Sequence, residues 1–264
     1  MDMPDTPAKT PSKNRKSLAI GIAIIALAAA VIIIVLLARP GNKAEQTEFP
    51  SATSQSNTAQ SESNSPAEAA GPKEVSPQAK AIIDEVQRRD KSDTRAKGSL
   101  DAPVVVSIFA DFRCGHCIDF ALNVEPQIQK LIDDGTIRYE FNNFPILGDE
   151  SRLAAQAAQA AAAQQKFWEY HDALFQGAKS QSISYDVSGL TDLAQKVGVA
   201  DLEKFRADMT SPETTDFVNT EVIRGRDRLG LQGVPALLIG YSYVPGGVSY
   251  EEFTAILQKE MQRK

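Results

Sequence analysis

Only two cysteines occur in the 264 residues, Cys114 and Cys117, and they close an unbroken apolar stretch with Gly115 and His116 between them. That stretch, "PVVVSIFADF" (103–112), is β-branched and nearly free of charge, the pattern of a central strand buried on both faces. "CGHCIDFALNVEPQIQKLIDDG" then has helical periodicity through Phe120, Leu122, Val124, Ile128, Leu131 and Ile132, with Gly135 suited to a helix end. Pro126 is expected to kink this helix, because it removes an interior hydrogen bond. "TIRYEFNNF" reads as a second strand. Strand, CxxC, helix and strand make the βαβ setting in which a cysteine pair reads as a redox motif.

Other uses of the pair are disfavoured by counting. Two cysteines cannot build a disulfide scaffold. A closed zinc site needs four ligands, and with His116 and His171 as the only imidazoles it would consume every Cys and His in the chain. No metal is therefore expected. A permanent structural disulfide would close too short a loop to contribute much chain-entropy stabilisation. The formal net charge of −6 leaves no basic footprint for nucleic acid.

The N-terminus has its own constraint. "SLAIGIAIIALAAAVIIIVLLA" (17–38) contains no charge and no polar face. As a helix it would reach roughly 33 Å, enough to cross a bilayer core of about 30 Å. It exceeds the apolar region of a signal peptide and is followed by no persuasive cleavage site. Lys9, Lys13, Arg15 and Lys16 precede it, and only Arg39 and Lys43 follow closely. The heavier basic flank stays in the cytoplasm, so residues 1–16 read as a cytoplasmic tail, 17–38 as a transmembrane signal anchor, and everything beyond as extracytoplasmic. Disulfides persist in that compartment. Residues 39–75 are rich in Ser, Gln, Asn, Ala and Pro, cannot offset their ordering entropy by burial, and read as a flexible tether.

The remainder, 76–264, reads as one folded domain. "SPQAKAIIDEVQRRD" starts a helix with Ser76 as N-cap and Pro77 at the first position. "SRLAAQAAQAAAAQQKFWEYHDALF" is a long helix-favouring stretch, and "VSGLTDLAQKVG" and "DLEKFRADM" are shorter ones. "SPETTDFVNTEVIRGRDRLG" runs from an N-cap at Ser211 to a terminator at Gly230. "GVPALLIG" returns to strand character, Gly246 and Gly247 make a turn, and "SYEEFTAILQKEMQRK" opens with a capping box, Ser249 and Glu252. The order is βαβ, a helical insertion at about 148–230, then ββα. His171, Trp168 and Phe167 fall at helical spacing and are expected to pack that insertion. Asp111 and Asp119 are expected to be solvated or capping.

On these residues the chain resembles the thioredoxin fold, and more narrowly the DsbA-like thiol-disulfide oxidoreductases. "DAPVVVSIFADFRCGHC" is similar to the family's first strand and active site, and "NNFPILGDESRLAAQAAQAAAAQQKFWEYHDALF" to the segment that opens its inserted helical domain. "LQGVPALLIG" resembles its cis-proline loop and "VPGGVSYEEFTAIL" its closing turn and helix. Two positions depart from the pattern. Gly115 stands where many DsbA-like oxidases carry proline, giving the CGHC of eukaryotic protein disulfide isomerases. Ile108 stands where some thioredoxin-fold proteins bury a carboxylate, and the nearest acid is Asp111.

The resemblance implies an enzyme without a cofactor. Cys114, at a helix N-terminus, would exchange its sulfur with partners, and Cys117, one turn in, would resolve the mixed disulfide. His116 would favour the Cys114 thiolate by a hydrogen bond or a positive charge. Pro235 would be the cis-proline, and the backbone at Val234 would pair with an extended client peptide. The implied protein is a single-pass inner-membrane oxidase, its catalytic domain periplasmic, acting on reduced or unfolded secreted proteins and reoxidised by a membrane quinone-linked partner. An isomerase or reductase kept reduced by a thiol relay is the rival reading in the same chemistry. A tethered peptide-binding chaperone is the rival from another class.

Overall fold

The computed structural model of the chain describes residues 75–263. The membrane span expected at 17–38 and the tether up to residue 74 lie outside the described residues. Ser76 caps the first helix, α1 (Pro77–Val86), accepting the Ala79 N–H at 3.2 Å, with Pro77 in the first turn. There follow β1 (Ala96–Lys97), β2 (Val104–Ala110), α2 (Gly115–Asn123), α3 (Glu125–Asp133) and β3 (Ile137–Asn143). Five helices then run without a strand: α4 (Asp149–Ala162), α5 (Phe167–Lys179), α6 (Val187–Lys196), α7 (Leu202–Met209) and α8 (Pro212–Ile223), the last continued by a π-helical turn at Arg224–Arg228. The hairpin β4 (Ala236–Ile239) and β5 (Ser242–Pro245) and the helix α9 (Tyr250–Met261) close the domain. The capping box of Ser249 and Glu252 at the start of α9 is present.

The five strands lie in the order β1-β3-β2-β4-β5. β2 is parallel to β3 and antiparallel to β4, so its backbone is paired on both edges. All seven of its residues are buried, as a continuous apolar run requires. Val104, Val106, Ile108 and Ala110 join one core with α2, α3, α5 and α9. Phe109 joins a second core with Ile83 and Val86 of α1, Val222 of α8, and Ala236 and Leu238 of β4. The alternation of side chains along one strand thus glues helices to both faces of the sheet.

Two expectations are corrected, and one short strand is added to them. Pro126 does not kink a continuous helix: α2 ends at Asn123, α3 starts at Glu125, and the proline sits in the first turn of the new helix, where no N–H is needed. The long helix expected from "SRLAAQ…HDALF" is two helices, broken where Gln165 takes a positive φ of 61° and Lys166 N–H returns to the Ala161 carbonyl at 2.9 Å. Neither gap carries a glycine to mark it. The two-residue β1 has no periodic signal and was not expected.

The insertion is fastened to the sheet by a buried ion pair. Glu221 on α8, 3% exposed, pairs with Arg95 and also accepts from the Asn143 N–H at 3.2 Å and its Nδ2 at 2.8 Å. Its loss would leave two amide donors unpaired away from water and the Arg95 guanidinium with only the longer contact to Asp93 at 3.7 Å. Glu221→Ala is therefore expected to lower the unfolding free energy by about 3–5 kcal/mol. Urea titration of the folded domain checks this, and a change under about 1 kcal/mol would show that the site relaxes to solvent.

Candidate active site

β2 ends at Ala110, and the next four residues, 111–114, carry the chain from its buried end to the exposed start of α2 at Gly115. Phe112 anchors this turn. Its ring stacks on Phe141 of β3 at 5.3 Å and reaches Phe175 and His171 of α5 at 4.9 and 5.9 Å. Trp168, Phe167 and His171 pack as expected, but they do more than fill the insertion. With Phe141 and Phe175 they brace the residue two places ahead of Cys114. The His171 ring is 1% exposed, with Nδ1 2.8 Å from Asp172 and Nε2 3.7 Å from Glu125. Among the described residues no group of three or more His, Cys, Asp and Glu side chains is placed to hold a metal ion.

Cys114 is the N-cap of α2, half-buried, with extended backbone (φ −77°, ψ 124°), and its carbonyl accepts the Ile118 N–H at 2.9 Å. Both cysteines are free thiols. As a thiol, Cys114 Sγ lies 3.6 Å from the Val234 carbonyl oxygen and makes no cap hydrogen bond. As a thiolate it is an acceptor only, and the donors at the start of α2 take over. The Cys117 S–H is the largest stabilising contact, and the main-chain N–H groups of Cys117 and His116 add to it. Partial burial and the Asp111 charge oppose them, and the net result is a Cys114 pKa pulled down to about 6. Cys117 is 1% exposed, and burial pushes its thiol far above the ordinary range; sharing its proton with Cys114 pushes it further. The pair is thus divided into a reachable thiolate and a shielded thiol.

His116 is exposed, and the contact through which it favours the Cys114 thiolate is its main-chain N–H. The peptide bond between Val234 and Pro235 is cis, and Gly246 N–H donates to the Pro235 carbonyl at 2.8 Å. His116, Asp119, Phe120, Asn123, Val124, Gly247 and Val248 line an open cleft of about 290 Å³ beside the turn. Gly247 is a residue the sequence reading assigned only to a turn. A β-carbon there would lie 3.7 Å from the Pro235 ring and 3.9 Å from the His116 carbonyl oxygen, so this glycine borders both halves of the site. Asp119 is solvated as expected and pairs with Lys179 at 2.8 Å. Asp111 takes the capping alternative: it is 1% exposed and its carboxylate accepts backbone N–H groups of two loops.

The family model described as thioredoxin matches residues 90–259. A probable disulfide bond formation protein D of Bacillus cereus is 29% identical over 180 residues, which cover 65% of this chain and 81% of that protein. Among solved structures, oxidised BdbD of Bacillus subtilis superposes with a TM-score of 0.60 at 25% identity, covering 66% of this chain and 95% of that one. The thiol-disulfide exchange protein alpha-DsbA2 of Wolbachia pipientis gives 0.56 at 25% identity, covering 69% and 95%.

Substitution at residue 116 separates its two contributions. His116→Ser keeps the main-chain donor and loses the ring, whereas His116→Pro loses both. His116→Pro is expected to raise the Cys114 pKa by about one unit, and His116→Ser, which keeps the donor, to leave it nearly unchanged. Thiolate absorbance against pH is the measurement. Equal shifts in the two variants would remove the His116 N–H from the site's electrostatics.

Proposed function

The chain belongs to the thioredoxin family, and from that premise we propose that it is a membrane-anchored, extracytoplasmic dithiol oxidase that passes a Cys114–Cys117 disulfide to secreted proteins. Thiol-disulfide oxidoreductase chemistry is common ground for its DsbA-like relatives and itself. The oxidising direction is supported above all by the Cys114 pKa of about 6. Stabilising the reduced enzyme's thiolate makes the disulfide a stronger oxidant.

A client thiolate attacks Cys114 Sγ of the enzyme disulfide. The Cys114–Cys117 bond breaks, and Cys117 leaves with the electron pair and takes a proton in its buried position. The client is now joined to Cys114, with its backbone laid along Val234 and Pro235 by strand addition and its neighbouring side chains over the Gly247 cleft. A second client thiolate attacks the client's own sulfur, forming the client disulfide and releasing Cys114 as thiolate. The client loses two electrons and the enzyme gains them. A membrane quinone-linked thiol oxidase would take them up in turn. Cys114 is the target because Cys117 is buried, and it is the favoured leaving group in the second step because exchange is faster with a lower-pKa leaving thiol.

Residues 17–38 would hold the domain at the outer face of the inner membrane, as a single-pass anchor with residues 1–16 inside and 39–75 as tether. A domain on such a tether reaches chains emerging from the membrane without being fixed to one of them.

The test is division of labour within the pair. Cys117→Ala should still attack a client disulfide and then accumulate mixed disulfides, since nothing resolves them. Cys114→Ala should show neither turnover nor adducts. Non-reducing gels of both variants with a disulfide-bonded client read the outcome, and equal trapping by the two would contradict the assignment. Failure of the wild type to oxidise a reduced client would favour the isomerase, reductase or chaperone reading instead.

A further inference from the structure

Asp111 stands three residues before Cys114 with its polar groups divided between the active-site turn and the loop at 146–147. Its main-chain carbonyl accepts the Cys114 N–H at 3.1 Å, and its main-chain N–H faces the Cys117 sulfur. Carboxylate Oδ1 accepts the Arg113 N–H at 2.9 Å. Oδ2 reaches across the chain to the N–H groups of Ile146 at 2.9 Å and Leu147 at 3.0 Å, in the loop that leads into the helical insertion. The side chains of Ile146 and Leu147 are 43% and 48% exposed, so beyond the buried Phe144 the carboxylate is what ties these two residues to the turn. Arg113 offers no counter-charge, because its guanidinium pairs with Glu150 at 2.6 Å. Among the described residues no Lys, Arg or His nitrogen lies within 4.0 Å of the Asp111 carboxylate. A buried carboxylate held by amide dipoles therefore sits in the turn that carries both cysteines.

We propose that Asp111 is a positioning residue that sets the redox poise of the cysteine pair: its carboxylate clamps the Cys114 turn to the 146–147 loop, and its charge holds the enzyme below the oxidising strength that the start of α2 would otherwise give. The proposal rests on reading Cys114 and Cys117 as a redox couple. The sign follows from the charge. A fixed anion destabilises a neighbouring thiolate, and it acts in that direction on both thiols here. The disulfide carries no charge and is indifferent to it. Asp111 thus works against the donors of α2, and removing its charge makes the disulfide a stronger oxidant.

The test compares the full-length wild type with Asp111→Asn, which keeps the shape of the side chain, and Asp111→Ser, whose hydroxyl still accepts the Arg113 N–H in a local turn. Each is followed by thermal melting, by thiolate absorbance against pH, and by equilibrium with glutathione. In the folded variants the Cys114 pKa should fall by about half a unit or more, and the glutathione equilibrium should move about threefold or more toward reduced enzyme. An unchanged pKa and equilibrium in a folded neutral variant would overturn the proposal. So would failure of both neutral variants to fold, which would make Asp111 a structural strut alone. If the wild type itself does not exchange its disulfide with glutathione, the reading of the pair as a redox couple fails before Asp111 is at issue.

Discussion

The Cys114 thiolate is held by dipoles: the S–H of Cys117 and the N–H groups of Cys117 and His116. Interactions of this kind weaken steeply with distance and angle. The site therefore works only if the first turn of α2 stays fixed beneath the sulfur. β2, paired on both edges and buried along its whole length, supplies the rigid end from which that turn departs. Phe112, packed between β3 and α5, keeps the turn from swinging outward. Asp111 ties the same turn to the loop at 146–147. The helical insertion is thus part of the active-site support, fastened to the sheet by Glu221 and Arg95 on one side and by the aromatic cluster on the other.

Burial divides the labour between two chemically identical side chains. Cys117 is out of reach of a client and resists ionisation, so it stays a shielded thiol and attacks a lingering mixed disulfide only once it has lost its proton. Cys114 is reachable and ionises easily, so it leaves readily when a client's second thiol arrives. The Val234 carbonyl faces the same sulfur from the loop before β4, where a client backbone would lie.

Much of this was legible in the sequence because it is local. The buried strand, the helix that starts at the cysteines, the caps at Ser76, Ser211 and Ser249, and the terminal ββα unit all follow from patterns a few residues long. The cis peptide at Pro235 came through resemblance. What was not legible depends on residues distant in sequence. Nothing near Asp111 announces that its carboxylate will meet the N–H groups of Ile146 and Leu147. Nothing near Gly247 announces Pro235 and His116. The break at Gln165 was hidden because glutamine favours helix, and only tertiary packing turns the chain there. The start of α3 was misplaced for a related reason: a proline inside an apolar period reads as a kink when it is a first-turn residue.

The central claim is that the pair works as an oxidant, and the redox state it keeps in the living cell tests that most directly. Rapid acid quenching of cells, followed by alkylation of free thiols with a mass tag, reports how much Cys114 and Cys117 is disulfide-bonded at steady state. The account expects the pair to be mostly oxidised, and to become reduced when quinone-linked reoxidation is blocked. A pair found mostly reduced in untreated cells would contradict it, and would make the protein a reductase or isomerase fed by a thiol relay.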